Sequence, residues 1–153
     1  AGFGWKPNKK DDRIVIFTES IPTLEFLHQQ LQADLGLKPE QIGCLKGQEM
    51  SDAELMQTVE EFGKEQSKLR LLVCSDVASE GINLHYLSHK MIHFDIPWSL
   101  MVFQQRNGRI DRYGQTQQPL IRYLVTTSEN ENVKQAGFAR LIEIEEMKLF
   151  QMQ

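Results

Sequence analysis

The sequence predicts an α/β fold, a parallel β-sheet with helices on both faces. Three observations predict it. Short, nearly unbroken apolar runs recur, as strands buried on both sides require. Segments with apolar positions three and four apart lie between them. Polar stretches rich in hydroxyls, acids and glycine follow the strands, at the ends where a parallel sheet gathers its ligands.

The first strand is "RIVIFT", Arg13 to Thr18. A helix follows, capped by Ser20 with a proline two residues on, carrying Leu24, Leu27, Leu31 and Leu35 as a stripe and stopping at Gly36. "QIGCL", Gln41 to Leu45, is the second strand. Ser51 and Glu54 form a capping box for a helix with Leu55, Val59 and Phe62, ended by Gly63. "LRLLVCS" (Leu69 to Ser75) and "KMIHFD" (Lys90 to Asp95) are the third and fourth strands, and the more alternating "PLIRYLVT" (Pro119 to Thr126) is a half-covered fifth. From Asn130 to Gln153 the composition is helical.

At 153 residues, 41% hydrophobic and 25% charged, the chain suffices for one core without disulfides or metals. Cys44 and Cys74 sit inside apolar runs, as small buried thiols do. His28, His85, His89 and His93 lack a zinc-ligand spacing, so no metal site is expected. No apolar run approaches the roughly twenty residues of a membrane span, and the amino terminus is polar; the expectation is a soluble, cytoplasmic protein without a membrane partner. The net charge of −4 excludes a bulk positive field, so any phosphate contact must be local.

Two segments carry chemistry. In "CSDVASEGINL", Cys74 to Leu84, Ser75 and Ser79 with the turn's backbone amides can hold a phosphate; equally, Ser75 or Asp76 can cap a helix that Gly81 ends. In "QQRNGRIDRYGQ", Gln104 to Gln115, a helix running on from a Ser99 cap places Gln105, Arg109 and Arg112 on one face and turns Arg106 and Asp111 away. Gly108 marks a close approach or a weak helix. Arginines of fixed geometry suit phosphate oxygens, although a surface helix whose arginines meet the domain's own acids fits the same residues.

Taken in order, "FTES", "LKGQEMSDAELMQTVEEF", "LLVCSDVASEGINL", "MIHFDIPWS" and "QQRNGRIDRYGQ" resemble the carboxyl-terminal RecA-like lobe of superfamily 2 helicases and translocases, from about Arg13 to Thr126. "EGINL", the D-x-P-W of "DIPW" and the closing "RYGQ" are most similar to the Swi/Snf branch, of the bacterial RNA-polymerase-recycling ATPase type. The resemblance implies a P-loop NTPase-type lobe lacking the P-loop, spanning 13–127, after an interlobe linker remnant (1–12) and before a helical segment (128–153). Ile16 to Ser20 match motif IV, Ser75 to Leu84 motif V, and Gln105 to Gln115 motif VI. It makes Arg109 and Arg112 arginine fingers, sets Gly81, Asn83 and Gln105 beside the nucleotide, and gives Thr18, Ser20, Gly47 and Ser75 to the nucleic-acid backbone. The implied cofactor is ATP with Mg, held mainly by an amino-terminal RecA-like lobe. The implied partners are that lobe, double-stranded DNA, and RNA polymerase or another protein complex, in the bacterial cytosol or nucleoid. A DEAD-box-like RNA helicase lobe and a non-catalytic binding module are the alternatives. No GxxxxGK(S/T) and no acid pair after an apolar strand occur, so the chain alone is expected not to hydrolyse ATP.

Overall fold

The computed structural model describes residues 4–78 and 80–124. Those up to Tyr123 form one compact unit, and a second begins at Leu124. The helix expected over 128–153, the strand run's end at Thr126 and the phosphate candidate Ser79 lie outside the described residues.

Five strands, β1 (Arg13–Thr18), β2 (Ile42–Leu45), β3 (Leu71–Ser75), β4 (Ser88–His93) and β5 (Leu120–Tyr123), form a wholly parallel sheet in the order β2-β3-β1-β4-β5. The helices are α1 (Ile21–Asp34), α2 (Asp52–Phe62) and α3 (Leu100–Asn107). β1 lies between β3 and β4, and all six of its residues are buried. Its side chains alternate between two cores, as the pleat dictates. Ile14 and Ile16 pack with Leu24 and Leu27 of α1; Val15 and Phe17 join Phe62 of α2, Met91 and Ile110. Helices therefore cover both faces.

The caps form as the sequence predicts. Ser20 Oγ accepts from Thr23 N (3.4 Å), and Ser51 and Glu54 accept from each other's backbone N–H (3.2 and 2.8 Å). The α1 stripe buries Leu24 and Leu27, whereas Leu35, beyond the helix end, is exposed. β4 starts and ends two residues earlier than its apolar run. Phe94 N still donates to Phe17 O (2.9 Å), but Asp95 leaves the ladder because its carboxylate is held elsewhere.

At the amino ends of the strands, residues 5–12 are clasped to the sheet. Trp5 packs on the α1-side core and its Nε1 donates to Asp12 O (2.8 Å), while Lys6 N donates to Asp12 Oδ2 (2.9 Å). Asp12 Oδ1 meets Lys90 Nζ at 2.7 Å, with both side chains 7% exposed. Beside this pair the fully buried Arg13 gives its five N–H donors to five carbonyl oxygens, those of Lys10, Glu61, Phe62, Lys64 and Ser67. It thereby satisfies the carboxyl end of α2, where helical carbonyls lack partners. Burial and then the neighbouring Arg70 lower its pKa to about 10, which keeps it charged at neutral pH.

Removing one member of a buried ion pair strands the other. Lys90→Met should cost about 3 kcal/mol in urea unfolding followed by circular dichroism. The double variant Asp12→Asn/Lys90→Met should recover at least about half of that loss.

Candidate functional site at the carboxyl ends of the strands

β1, β3 and β4 end side by side: Thr18 pairs with Ser75 across β1–β3, and Phe17 with His93 across β1–β4. Into the space above these ends α3 sends Arg106, 1% exposed. Its Nε and Nη2 donate to the two carboxylate oxygens of Asp76 (2.6 and 2.8 Å), and Nη2 also donates to Asp95 Oδ1 (3.0 Å). Nη1 donates to Asp95 O (2.8 Å) and to His93 Nδ1 (3.3 Å). The guanidinium lies 5.7 Å from the centre of the Phe17 ring. Burial acts to lower its pKa, and the hydrogen bonds and charges of Asp76 and Asp95 more than reverse this, holding it above the ordinary arginine value.

The network extends in both directions. A guanidinium only donates, so His93 Nδ1 accepts; Nε2 then carries the hydrogen and donates to Asn107 Oδ1 (2.8 Å). The His93 ring stacks on Phe103, centroids 4.5 Å apart. Thr18 Oγ1 donates to Asp95 Oδ2 (2.5 Å), and Glu19 N donates to the same carboxylate (3.0 Å). Motifs IV, V and VI are thus tied through one arginine.

The structure corrects the helical reading of 99–112. α3 ends at Asn107 with Gly108 as its cap, and Arg109 N and Ile110 N bond back three residues, so Gln105, Arg109 and Arg112 do not share a helix face. Tight turns carry the chain from Gly108 to Gln115 because Ile110 must reach the core, where it is wholly buried. The arginines still converge, through the loop after β3. Arg109 N–H donates to Ile82 O (3.2 Å), Arg112 N–H donates to Asn83 Oδ1, and Leu84 N donates to Arg109 O (3.0 Å). Among the described residues neither guanidinium has an ion-pair partner. Arg109 is half-buried and Arg112 exposed. Burial, and then the charge of Arg112, lower the pKa of Arg109. Gln105 and Gly81 are exposed and Asn83 half-buried.

The other expected site residues divide. Ser20 and Gly47 are exposed. Thr18 and Ser75 are 0% and 3% exposed, and their hydroxyls are engaged inside the lobe. Ser75 Oγ donates to Lys46 O (3.1 Å) and accepts from Ala78 N (3.4 Å), stitching the exits of β2 and β3 together. No helix follows Ser75; residues 76–78 are a turn. At Gly47 (φ 76°) a Cβ would meet Ala78 N at 3.3 Å, so this loop can pass the turn only without a side chain.

Sequence reasoning missed Arg106, Asp95 and His85. The signal for the first two was available: an acid directly after each of two buried strands, facing an arginine on the next helix. His85, 8% exposed, lies behind the arginines, with Nε2 3.3 Å from where a Gly114 Cβ would stand. Burial and then Arg112 lower its pKa.

Residues 7–114 match the family model described as the helicase conserved C-terminal domain. The chain is 34% identical over 108 residues to the uncharacterized ATP-dependent helicase YqhH of Bacillus subtilis (strain 168), a match covering 70% of this chain and 18% of that protein. It is 39% identical over 70 residues to the RNA polymerase-associated protein RapA of Pectobacterium atrosepticum, covering 44% of this chain and 7% of the relative. The chain thus spans less than a fifth of the length of these relatives. Among solved structures it is similar to the C-terminal part of the Fun30 ATPase domain, with a TM-score of 0.67 and 22% identity over 80% of this chain and 38% of that one. That likeness shows the RecA-like fold.

Arg106→Lys cannot reproduce the forked contact to Asp76 and should cost about 2 kcal/mol or more in chemical unfolding. The pKa of His85 falls below its ordinary 6.5 on folding, so the unfolded state takes up the proton first. The stability present above that value should be lost as pH falls through it, and His85→Gln should flatten the decline in melting temperature between about pH 7 and pH 5. His89, shifted the same way by burial and then Lys90, leaves a residual slope.

Proposed function

This chain belongs to the helicase conserved C-terminal domain family, and from that premise we propose that it is the second motor lobe of an ATP-dependent translocase acting on double-stranded DNA. One observation carries the reading. Arg109 and Arg112, two adjacent cations without a carboxylate, converge on the loop after β3, while the domain as a whole is acidic. Each gives only one printed hydrogen bond, to a neutral oxygen, so most of their donors remain for an anion with several oxygens, and a phosphate fits.

In this reading ATP with Mg is held mainly by an amino-terminal RecA-like lobe, and closure of that lobe on this one brings Arg109 and Arg112 to the terminal phosphate. Bound there, the nucleotide supplies the phosphoanhydride that is hydrolysed; the arginines neutralise charge that grows on its oxygens. Gln105, Gly81 and Asn83 flank the nucleotide. Ser20 and the backbone at Gly47 meet the nucleic-acid backbone, and Thr18 and Ser75 hold those loops in place from inside. The Swi/Snf-like "DIPW" and "RYGQ" support double-stranded DNA as the track, and the second relative's printed name supports an RNA polymerase complex as the partner.

In the intact enzyme, Arg109→Ala or Arg112→Ala should lower turnover on the order of a thousandfold while ATP binding stays within about tenfold. Wild-type turnover rejects the assignment. Phosphate release by the 153-residue chain alone should stay at background with or without duplex DNA. In the intact enzyme duplex DNA should stimulate turnover; stimulation by RNA instead would move the reading to an RNA helicase.

A further inference from the structure

Beside the arginine pair, α2 and the segment after Asn83 enclose a groove of about 390 Å³, within the range of small-molecule clefts. Met56 and Val59 of α2 form one wall and Tyr86 the other; Asn83 supplies an amide, and the Glu60–Lys64 ion pair (2.8 Å) lies on the rim. Two features are unusual for a mere surface dent. Tyr86 and Met56 are 64% and 59% exposed, a large apolar outlay on an acidic lobe. The Tyr86 ring is nevertheless held in place, 4.3 Å from the buried His85 ring on one side and 3.4 Å from the Cβ position of Gly63 on another. It is a fixed aromatic surface facing outwards.

Asn83 says what the groove is for. The same side chain lines the groove and accepts from Arg112 through Oδ1. When Arg112 turns to a phosphate, Asn83 is released, and its amide then offers an acceptor and two donors to whatever lies in the groove. Phosphates on one side of Asn83 and an aromatic slot on the other describe the two ends of a nucleotide. We propose that the groove bounded by Met56, Val59, Tyr86 and Asn83 receives the base of the nucleotide whose phosphates meet Arg109 and Arg112. Tyr86 stacks on the ring and the Asn83 amide pairs with the edge of an adenine, whose adjacent amino group and ring nitrogen match an asparagine. The lobe then reads both ends of ATP. This inference rests on the proposed role of the two arginines.

The test is steady-state ATP hydrolysis by the intact enzyme, with adenosine and inorganic tripolyphosphate as competing inhibitors, one for each end of the nucleotide. Tyr86→Ala should raise the KM for ATP and weaken adenosine inhibition by roughly tenfold, the loss of one stacking ring, with kcat within about twofold. Tripolyphosphate inhibition should not change, and Tyr86→Phe should behave as wild type. Met56→Ala, on the exposed face of α2, repeats the test where Tyr86→Ala folds poorly. Unchanged KM and adenosine inhibition in both alanine variants overturns the inference while leaving the arginine assignment standing. So does equal weakening of adenosine and tripolyphosphate, which would mark the groove as a seat for the other lobe or as scaffold. Full turnover in Arg109→Ala would instead remove the reading beneath it.

Discussion

A guanidinium buried at the meeting point of three strand ends is the constraint on which the rest of this lobe depends. Arg106 is charged and almost wholly shielded from water, a state that costs several kcal/mol unless every donor is matched. Its five N–H groups meet Asp76, Asp95 and His93. Those partners are the residues at which β3 and β4 end, and Asp95 reaches on to Thr18 at the end of β1. Satisfying one side chain therefore fixes where three strands stop and how three loops leave. It also explains the departure of Asp95 from its strand: the ladder offers it two backbone bonds, whereas the network offers a carboxylate its cation and a buried hydroxyl.

Arg13 solves the same problem differently at the opposite end of the sheet. Its five donors meet five carbonyl oxygens, so the positive charge is spread over dipoles. Three of those carbonyls belong to the end of α2 or the turn after it, where the helix dipole already favours a cation. The difference suits each location. Carbonyls of a helix end and a turn come to Arg13 with the chain's course, and the contact sets how α2 and residues 5–12 lie on the sheet. At the carboxyl ends the charge must be held by side chains, because the backbone there is needed to form loops that face outwards.

What could be read from the sequence follows the range of the interactions involved. β1, the Ser20 cap and the Ser51–Glu54 box were legible because residues within three or four positions decide them. The two-sided burial of β1 was legible as an unbroken apolar run. The end of α3 was not. Periodicity continued past Gly108, but Ile110 is drawn into the core on the α2 side of the sheet, and a helix running on from Asn107 gives way to turns. Arg106 was set aside because helical geometry turned it from Arg109 and Arg112; being turned from them is what points it at the strands. Two motif residues read as outward contacts, Thr18 and Ser75, are engaged within the lobe, since a hydroxyl at a strand end serves the fold as readily as a ligand.

The three arginines of one short segment therefore divide between two tasks, and the division has a physical logic. A cation that must act on a ligand cannot also be neutralised by its own protein, because a carboxylate at salt-bridge distance would compete with every phosphate oxygen. A cation left without a carboxylate is mobile unless its backbone is held. Arg106 holds it: its contacts pin α3 to β3 and β4, Leu84 N bonds to Arg109 O, and His85 stands against the turn at Gly114, whose φ of 94° a side chain rarely adopts. The neutralised arginine supplies the rigidity, and the two without carboxylates keep their charge. Exchanging these roles would bury a poorly matched charge in the centre of the lobe and leave a silent one at its surface.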